Sequence, residues 1–160
     1  MFKAPAITER SVDLSGQIRH PHLIRLYRYW NERRGRRALP ARRDIDPLDF
    51  SYVLGNVILV DVLRKPLRFR VRLHGDALAV RAGYDFTGKF LDQPPISDYR
   101  AYAIERCKGI VETGRPSAVE HNRVLDGRPH HYEALWLPLS DNGEDVTMLL
   151  CALIYRRDGV

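Results

Sequence analysis

The chain has 160 residues, of which 44% are hydrophobic and 29% charged, with a formal net charge of +6. This length and composition suit one soluble globular domain and exclude disordered and fibrous classes. The longest apolar run, at 148–155, is shorter than the roughly 18 residues that a membrane helix needs, and the N-terminus lacks the continuous apolar stretch of a secretory signal. We therefore expect a cytoplasmic protein with no transmembrane segment.

The first predicted element is an N-terminal amphipathic helix at 22–34, after a flexible leader at 1–19 that shows no sustained hydrophobic period. Four apolar residues recur along this helix at steps of three and four: Leu23, Leu26, Tyr27 and Trp30. The pattern leaves two interpretations open. As a docking helix, the stripe packs on the protein's own sheet; as a dimer helix, it packs on a second copy and makes a homodimer.

Positive charge is concentrated in the same region, because residues 19–43 contain nine arginines and one acid, Glu32. One interpretation is that these arginines are simply solvated. The alternative is that part of the segment 25–43 binds nucleic acid or an acidic surface. The anion-binding residues would then be Arg33, Arg34, Arg36, Arg37, Arg42 and Arg43. Gly35 and Pro40 argue against one continuous basic recognition helix. Asp46 and Pro47 predict the start of a short helix at 47–53.

Two strands follow, at 56–63 and 68–73, joined by a turn at 64–67 that contains Pro66. The first is almost continuously apolar, as in a strand whose two faces are both covered. In the second, arginines alternate strictly with apolar residues, which predicts one polar and one apolar face.

Helix-like spacing then occupies 75–114, and its clearest part is a predicted helix at 96–113 that ends at Gly114. Three further strands are predicted at 116–125, 130–139 and 146–157. Asp126-Gly127 and Asn142-Gly143 separate them, and such pairs favour short hairpin turns. The last three strands should form a meander.

The order of these elements resembles that of a PAS domain, the small antiparallel-sheet sensor module. Residues 26–30 (LYRYW), 39–47 (LPARRDIDP) and 68–75 (RFRVRLHG) are similar to a bacterial PAS-like family formerly described as a domain of unknown function, and 83–89 (GYDFTGK) resembles its helical insert. The resemblance implies an α+β fold: a PAS-like five-stranded antiparallel sheet, a helical insert between strands 2 and 3, and an added N-terminal amphipathic helix. A single domain would span 20–160.

The resemblance also implies a ligand cavity between the sheet and the helices. Its expected lining is Phe69, Val71, Leu73, Tyr99, Ala103, Cys107, Tyr132, Trp136 and Leu150. The cofactor is unknown. A flavin adduct is not supported, because the stretch matching the adduct helix lacks cysteine, and haem is not supported, because 96–113 lacks histidine. The two cysteines have no metal-ligand spacing and are expected to be buried thiols.

Histidine offers a different hypothesis, a small metal-dependent or acid/base enzyme. His121 and His131 could approach each other across the meander, with Glu133 on the same face as His131. Polar residues on the outer face of an antiparallel sheet explain the same pattern.

We therefore expect a non-enzymatic, cytoplasmic PAS-type sensory or protein-interaction module, with no catalytic residue and no metal. The expected form is a homodimer that signals through a separate protein, since 160 residues leave no room for an output domain. The alternatives are anion binding by the arginine-rich segment and, third, the histidine enzyme.

Overall fold

A five-stranded antiparallel sheet with the strand order β2-β1-β5-β4-β3 forms the centre of the protein. The computed structural model describes residues 14–156. The strands are β1 (Val57–Leu63), β2 (Arg68–His74), β3 (Ser117–Leu125), β4 (Arg128–Leu139) and β5 (Met148–Tyr155). The predicted meander is therefore confirmed. Asp126 and Gly127 adopt φ angles of 54° and 75° between β3 and β4, which is the backbone that a two-residue hairpin turn requires.

In the described part of the chain, three α-helices accompany the sheet: α1 (Pro21–Arg34), α2 (Asp76–Ala82) and α3 (Asp98–Thr113). Within the described residues, no helix has the length and apolar composition of a membrane span. The predicted helix at 96–113 begins two residues late because the Ser97 side chain caps it, accepting a hydrogen bond of 3.1 Å from the Arg100 amide. Gly114 ends it with a φ of 65°.

Short 3₁₀ helices connect the longer elements at Ser15–Gln17, Arg42–Asp44, Pro47–Phe50 and Leu54–Asn56. The short helix predicted at 47–53 is one of them, and it ends at Phe50. Its start was predicted correctly, because the Asp46 side chain accepts a hydrogen bond of 3.0 Å from the Leu48 amide and Pro47 follows at the first helical position.

The sheet separates two hydrophobic cores. On one face, the stripe of α1 is fully buried against β1, β4 and β5, and the Trp30 indole donates a hydrogen bond of 3.0 Å to the Pro138 carbonyl. Core residues on this face include Leu23, Leu26, Tyr27, Trp30, Leu135, Leu137 and Leu150. On the other face, α2 and α3 pack on Val60, Phe69, Val71, Tyr132, Trp136, Cys151 and Leu153. The α1 stripe therefore docks on the sheet of its own chain.

Residues 14–19, which fall in the predicted flexible leader, pack on the α1 side of the sheet. Leu14 and Ile18 are each only 4% exposed, and the Leu14 amide donates to the Tyr27 hydroxyl at 3.3 Å. The rest of the predicted leader, 1–13, lies outside the described residues, as does residue 157 of the predicted last strand.

Strand β2 departs from the predicted strict alternation at one position. Leu59 pairs with Leu73 while Val60 pairs with Val71, so the register shifts and Arg72 is left as an extra residue. A bulge of this kind reverses the facing of the side chains beyond it. Val71 thus faces the α3 side, whereas Leu73 packs in the α1 core. The prediction that all apolar residues of this strand share one face was wrong for Leu73.

Candidate ligand cavity

A cavity of about 370 Å³ lies between the sheet and the helical insert formed by α2, α3 and the segment joining them. This volume falls in the roughly 300–1,000 Å³ range of small-molecule sites. Its walls are mainly apolar and aromatic, and include Ile58, Val60, Leu78, Phe86, Leu91, Tyr102 and Leu153. The insert and the sheet face together form the cavity that the resemblance implies.

The structure places six of the nine expected lining residues at the cavity: Val71, Tyr99, Ala103, Cys107, Tyr132 and Trp136. Phe69 is buried in the same core but is not part of the lining. Leu73 and Leu150 lie on the opposite face, in the α1 core. Leu73 is displaced by the bulge at Arg72. On β5 the alternation places Cys151 at the cavity and turns Leu150 away.

Polar aromatic side chains gather at one part of the lining. His130 Nδ1 lies 2.9 Å from the Tyr155 hydroxyl, and the His130 ring stacks on Tyr99 with 5.0 Å between centroids. Burial raises the pKa of both tyrosines, while burial and the charges of Arg81 and Arg128 lower the pKa of His130. At neutral pH these three groups are therefore uncharged hydrogen-bonding partners.

Arg81, near the end of α2, joins this helix to the β3–β4 hairpin. Its guanidinium lies over the Tyr155 ring at 3.7 Å and its Nη2 donates to the Pro129 carbonyl at 3.2 Å. In return, Arg128 Nη2 donates to the Arg81 carbonyl at 3.3 Å. These reciprocal contacts hold one wall of the cavity against the sheet.

Arg100 on α3 holds the loop before this helix, which forms another wall of the cavity. Its Nη1 donates to the carbonyls of Leu91 and Gln93 at 2.9 Å and 2.8 Å, and its Nη2 donates to the Pro95 carbonyl. The guanidinium also lies 4.8 Å from the centroid of the Phe86 ring. Its hydrogen-bonding capacity is therefore largely used by the chain itself.

His74, at the end of β2, has a structural role in the same wall. Its Nδ1 accepts a hydrogen bond of 3.0 Å from the Phe86 amide, which requires that nitrogen to be unprotonated. Burial lowers the pKa of His74, in agreement with this role, although Asp85 opposes the shift.

The polar lining residues that sequence reasoning did not identify include His74, Arg81, Arg100, His130 and Tyr155. A signal was present for one of them, because His130 precedes Tyr132 by two residues on the same strand and must share its face. The two arginines gave no signal, since their place at the cavity depends on how α2 and α3 pack.

The predicted cluster of His121, His131 and Glu133 does not form. His121 pairs directly with Tyr132, so it lies on the cavity side of the sheet. Its ring stacks on Tyr132 at a centroid distance of 4.7 Å and contacts the tilted ring of Tyr102 at 4.6 Å. Glu133 faces α1 and accepts hydrogen bonds from two backbone amides of the segment before it. The prediction was made without the strand register, and the register places His121 on the opposite face of the sheet from Glu133. His131 does share the face of Glu133, as predicted, because the two residues are two positions apart on β4.

Within residues 14–156, no group of three or more acidic, histidine or cysteine side chains has the arrangement to hold a metal ion. Cys107 and Cys151 are both buried, and both line the cavity as free thiols. Burial raises the pKa of each thiol, so both are protonated at neutral pH and are poor nucleophiles and metal ligands in that state.

The arginine-rich segment lies away from the cavity, and its side chains are partly engaged within the chain. Arg33 pairs with Asp49 at 3.4 Å and Arg37 with Asp44 at 2.8 Å. Arg34 and Arg42 donate to Asn31 and to the Ile45 carbonyl. Arg36 and Arg43 are exposed.

Several solved structures are similar to this chain at low sequence identity. A light-oxygen-voltage domain studied with a flavin analogue has a TM-score of 0.48 and 17% identity, covering 69% of this chain and 84% of that one. The PAS domain from Bordetella pertussis BvgS has a TM-score of 0.43 and 19% identity, covering 72% and 90%. The light-state structure of the blue-light photoreceptor Aureochrome1 LOV has a TM-score of 0.45 and 15% identity, covering 69% and 88%.

No curated protein sequence matches the chain at a significant level. A family model described as "PAS domain" does match, over residues 18–154. This match includes α1, the helical insert and almost all of the sheet, so the assignment does not depend on the structural neighbours. The chain belongs to the PAS domain family.

Proposed function

We propose that this PAS domain is a sensory module that binds a small molecule in its cavity and signals this binding to a separate partner protein. PAS domains generally serve as sensory, non-enzymatic modules and commonly mediate dimerisation and signalling contacts. The observation that carries the proposal is the cavity of about 370 Å³, with apolar walls and a few polar groups at one part of its lining. Ligand sites of proteins combine these features.

The size of the cavity favours a site that holds a ligand over a core that is closed by the protein's own side chains. Protein interiors pack densely, and voids larger than a water molecule are few, because atoms at the wall of a void lose their contacts. A small molecule filling this space would restore those contacts and stabilise the folded state in proportion to its concentration.

The proposed output is the N-terminal region. Tyr132 lines the cavity, while the next residue, Glu133, binds the backbone before α1 on the other face of the sheet. The α1 stripe is already buried on this sheet, so a homodimer of the docked form must use another surface. A cytoplasmic homodimer and a separate signalling partner remain part of the proposal.

Anion binding by the arginine-rich segment is the weaker alternative. Four of its six arginines already contact groups of the same chain, two of them in ion pairs. Exposed ion pairs of this type are weak and would not prevent binding. The alternative predicts RNA or DNA binding that weakens steeply with salt and is lost when Arg33, Arg34, Arg36 and Arg37 are replaced by glutamine.

The test is native mass spectrometry of the purified protein beside the same sample denatured. We expect a discrete extra mass under native conditions that disappears on denaturation. Ala103→Phe, which fills the cavity from α3, should lose that mass while keeping its circular dichroism spectrum. A folded wild-type protein that never carries extra mass would contradict small-molecule sensing and favour an interaction module. The same spectra give the number of subunits.

A further inference from the structure

The charges around the cavity are unbalanced. Three arginines belong to its lining, Arg81, Arg100 and Arg128, and the one acidic lining residue in the described chain is Asp126. Both Asp126 carboxylate oxygens are occupied at the start of α3, where they accept hydrogen bonds from the amides of Asp98 and Tyr99 at 2.8 and 3.1 Å. These bonds are the main cause of the lowered pKa of Asp126.

None of the three arginines forms an ion pair with a carboxylate of residues 14–156. The lining therefore carries more positive than negative charge. The cost of keeping cations beside an apolar space falls when an anion enters it.

The three arginines are not equally available to such an anion. Arg100 is bound by three carbonyls of the loop that it holds, although its Nε, like that of Arg81, is buried without a hydrogen-bond partner in the described residues. Arg128 is exposed. Arg81 donates to one carbonyl and forms a hydrogen bond with the Tyr155 side chain, and its buried Nε has no hydrogen-bond partner among the described residues. A guanidinium has five N–H donors, so Arg81 keeps donors for an anion.

Uncharged groups beside Arg81 complete a polar corner. Tyr155 lies under its guanidinium, and His130 and Tyr99 adjoin Tyr155. Phenol hydroxyls donate hydrogen bonds to an anion without adding charge. The remaining walls combine aromatic side chains, Phe86, Tyr102, Tyr132 and Trp136, with aliphatic ones such as Leu78.

We propose that the cavity takes an aromatic monocarboxylate, with its carboxylate on Arg81 and its apolar body against the aromatic walls. This rests on the proposed function and names the ligand class of the same site. A planar carboxylate matches the fork of a guanidinium, and such charge-assisted pairs are the stronger hydrogen bonds. A phosphate ester would bring up to two charges, which the one guanidinium of Arg81 would not balance.

The test compares cinnamate with its neutral amide, cinnamamide, by isothermal titration calorimetry on the full chain. The two probes share their apolar body, so their difference reports the charge alone. We expect wild-type protein to bind cinnamate about tenfold more tightly, from the size of one hydrogen bond to a charged group. Arg81→Met should reduce the preference to about twofold or less while cinnamamide binding persists.

Arg36→Gln, which removes an exposed arginine far from the cavity, is the matched control and should keep the full preference. Ala103→Phe should weaken both probes, because it fills their shared site. Circular dichroism verifies that each variant is folded. If Arg81→Met does not fold, the comparison of the two probes on wild-type protein still decides the ligand class.

Three results would overturn the inference. Equal binding of both probes to wild-type protein would show that charge has no role. If Ala103→Phe still weakened the binding of both probes in that case, the cavity would remain a ligand site. A preference that survives in folded Arg81→Met assigns the carboxylate to another group. If neither probe binds, the aromatic-carboxylate class is wrong, and native mass spectrometry then decides separately whether the cavity holds any ligand.

Discussion

Glu133 shows how one buried carboxylate fixes the position of the N-terminal segment. It is 9% exposed and accepts hydrogen bonds from the Arg19 and His20 amides at 2.6 and 3.0 Å. Glu133→Gln keeps the shape but replaces one acceptor oxygen by an NH₂ group that cannot accept from an amide. We expect the free energy of unfolding to fall by about 2 kcal/mol, measured by urea denaturation.

The matched control for Glu133 is Glu144→Gln on the exposed loop between β4 and β5, which should change stability by less than about 0.5 kcal/mol. Equal effects of the two substitutions would show that the contacts of Glu133 with the backbone do not stabilise the fold.

His121 should make stability depend on pH. Burial, with smaller contributions from Arg123, His130 and Arg106, lowers its pKa from 6.5 to about 4. Between these values the unfolded chain binds a proton that the folded state excludes, so stability falls as pH decreases from 6.5 to about 4. His121→Phe keeps the stacking on Tyr102 and Tyr132 but removes the titration. Urea unfolding at pH 7 and pH 5 should therefore show a smaller loss for this variant than for the wild type.

His74 and His130 have pKa values shifted in the same direction by burial, so part of the pH dependence should remain in His121→Phe. Val124→Ala, at an exposed site on β3, is the control and should keep the pH dependence of the wild type. An unchanged pH dependence in His121→Phe would mean that His121 is protonated as readily in the folded state as in the unfolded one.

At the scale of elements, the junction between β2 and α2 depends on a close backbone approach at Gly75. A Cβ atom built there would collide with the Gly55 carbonyl group and lie 2.8 Å from the Leu54 carbonyl oxygen. Backbone atoms cannot move aside as a flexible side chain does. Gly75→Ala should therefore lower the free energy of unfolding by about 3 kcal/mol, measured by thermal and urea denaturation.

Gly16→Ala is the comparison for Gly75, because a Cβ atom at Gly16 would meet nothing within 4 Å. It should leave stability within about 0.5 kcal/mol of the wild type. Similar stability of Gly75→Ala and Gly16→Ala would mean that the 54–56 turn shifts freely.

The elements themselves were largely predictable, because local chemistry determines them. Asp126-Gly127 gave the β3–β4 turn, Gly114 gave the end of α3, and the apolar stripe gave α1. The facing of individual strand residues was less predictable. A single extra residue at Arg72 reverses β2 beyond it, and nothing in its alternating pattern announces the bulge.

The residues of the cavity also divide into those that could be predicted from the sequence and those that could not. Six of the nine lining residues expected from the resemblance line the cavity, but Leu150 was assigned to the wrong face because β5 is apolar on both sides. A strand that is apolar along its whole length does not show which of its residues face which side of the sheet. Arg81 and Arg100 reach the cavity only through tertiary packing, which a pattern of charges along the chain does not encode.

At the scale of the whole molecule, the sheet is one layer shared by two cores. Along β4, Tyr132, Ala134 and Trp136 face the cavity side, while Glu133, Leu135 and Leu137 face α1. A displacement of this strand by a ligand therefore moves both faces at once. This coupling can change the docking of α1 only if the ligand binds the two arrangements with different affinity.

Hydrogen exchange tests that coupling. With saturating cinnamate, we expect the amides of α1 to change their protection from exchange. The amides of α2 and α3, the helices that line the cavity, should change as well. The change should be largest at the start of α1, because Glu133 holds the backbone of Arg19 and His20 just before it. In Glu133→Gln this contact is weakened, so ligand should change the exchange of α1 less while the cavity-side helices respond as in the wild type. A response confined to α2 and α3 in the wild type would show that the sheet is rigid towards ligand, and the signal would then have to leave from the cavity side.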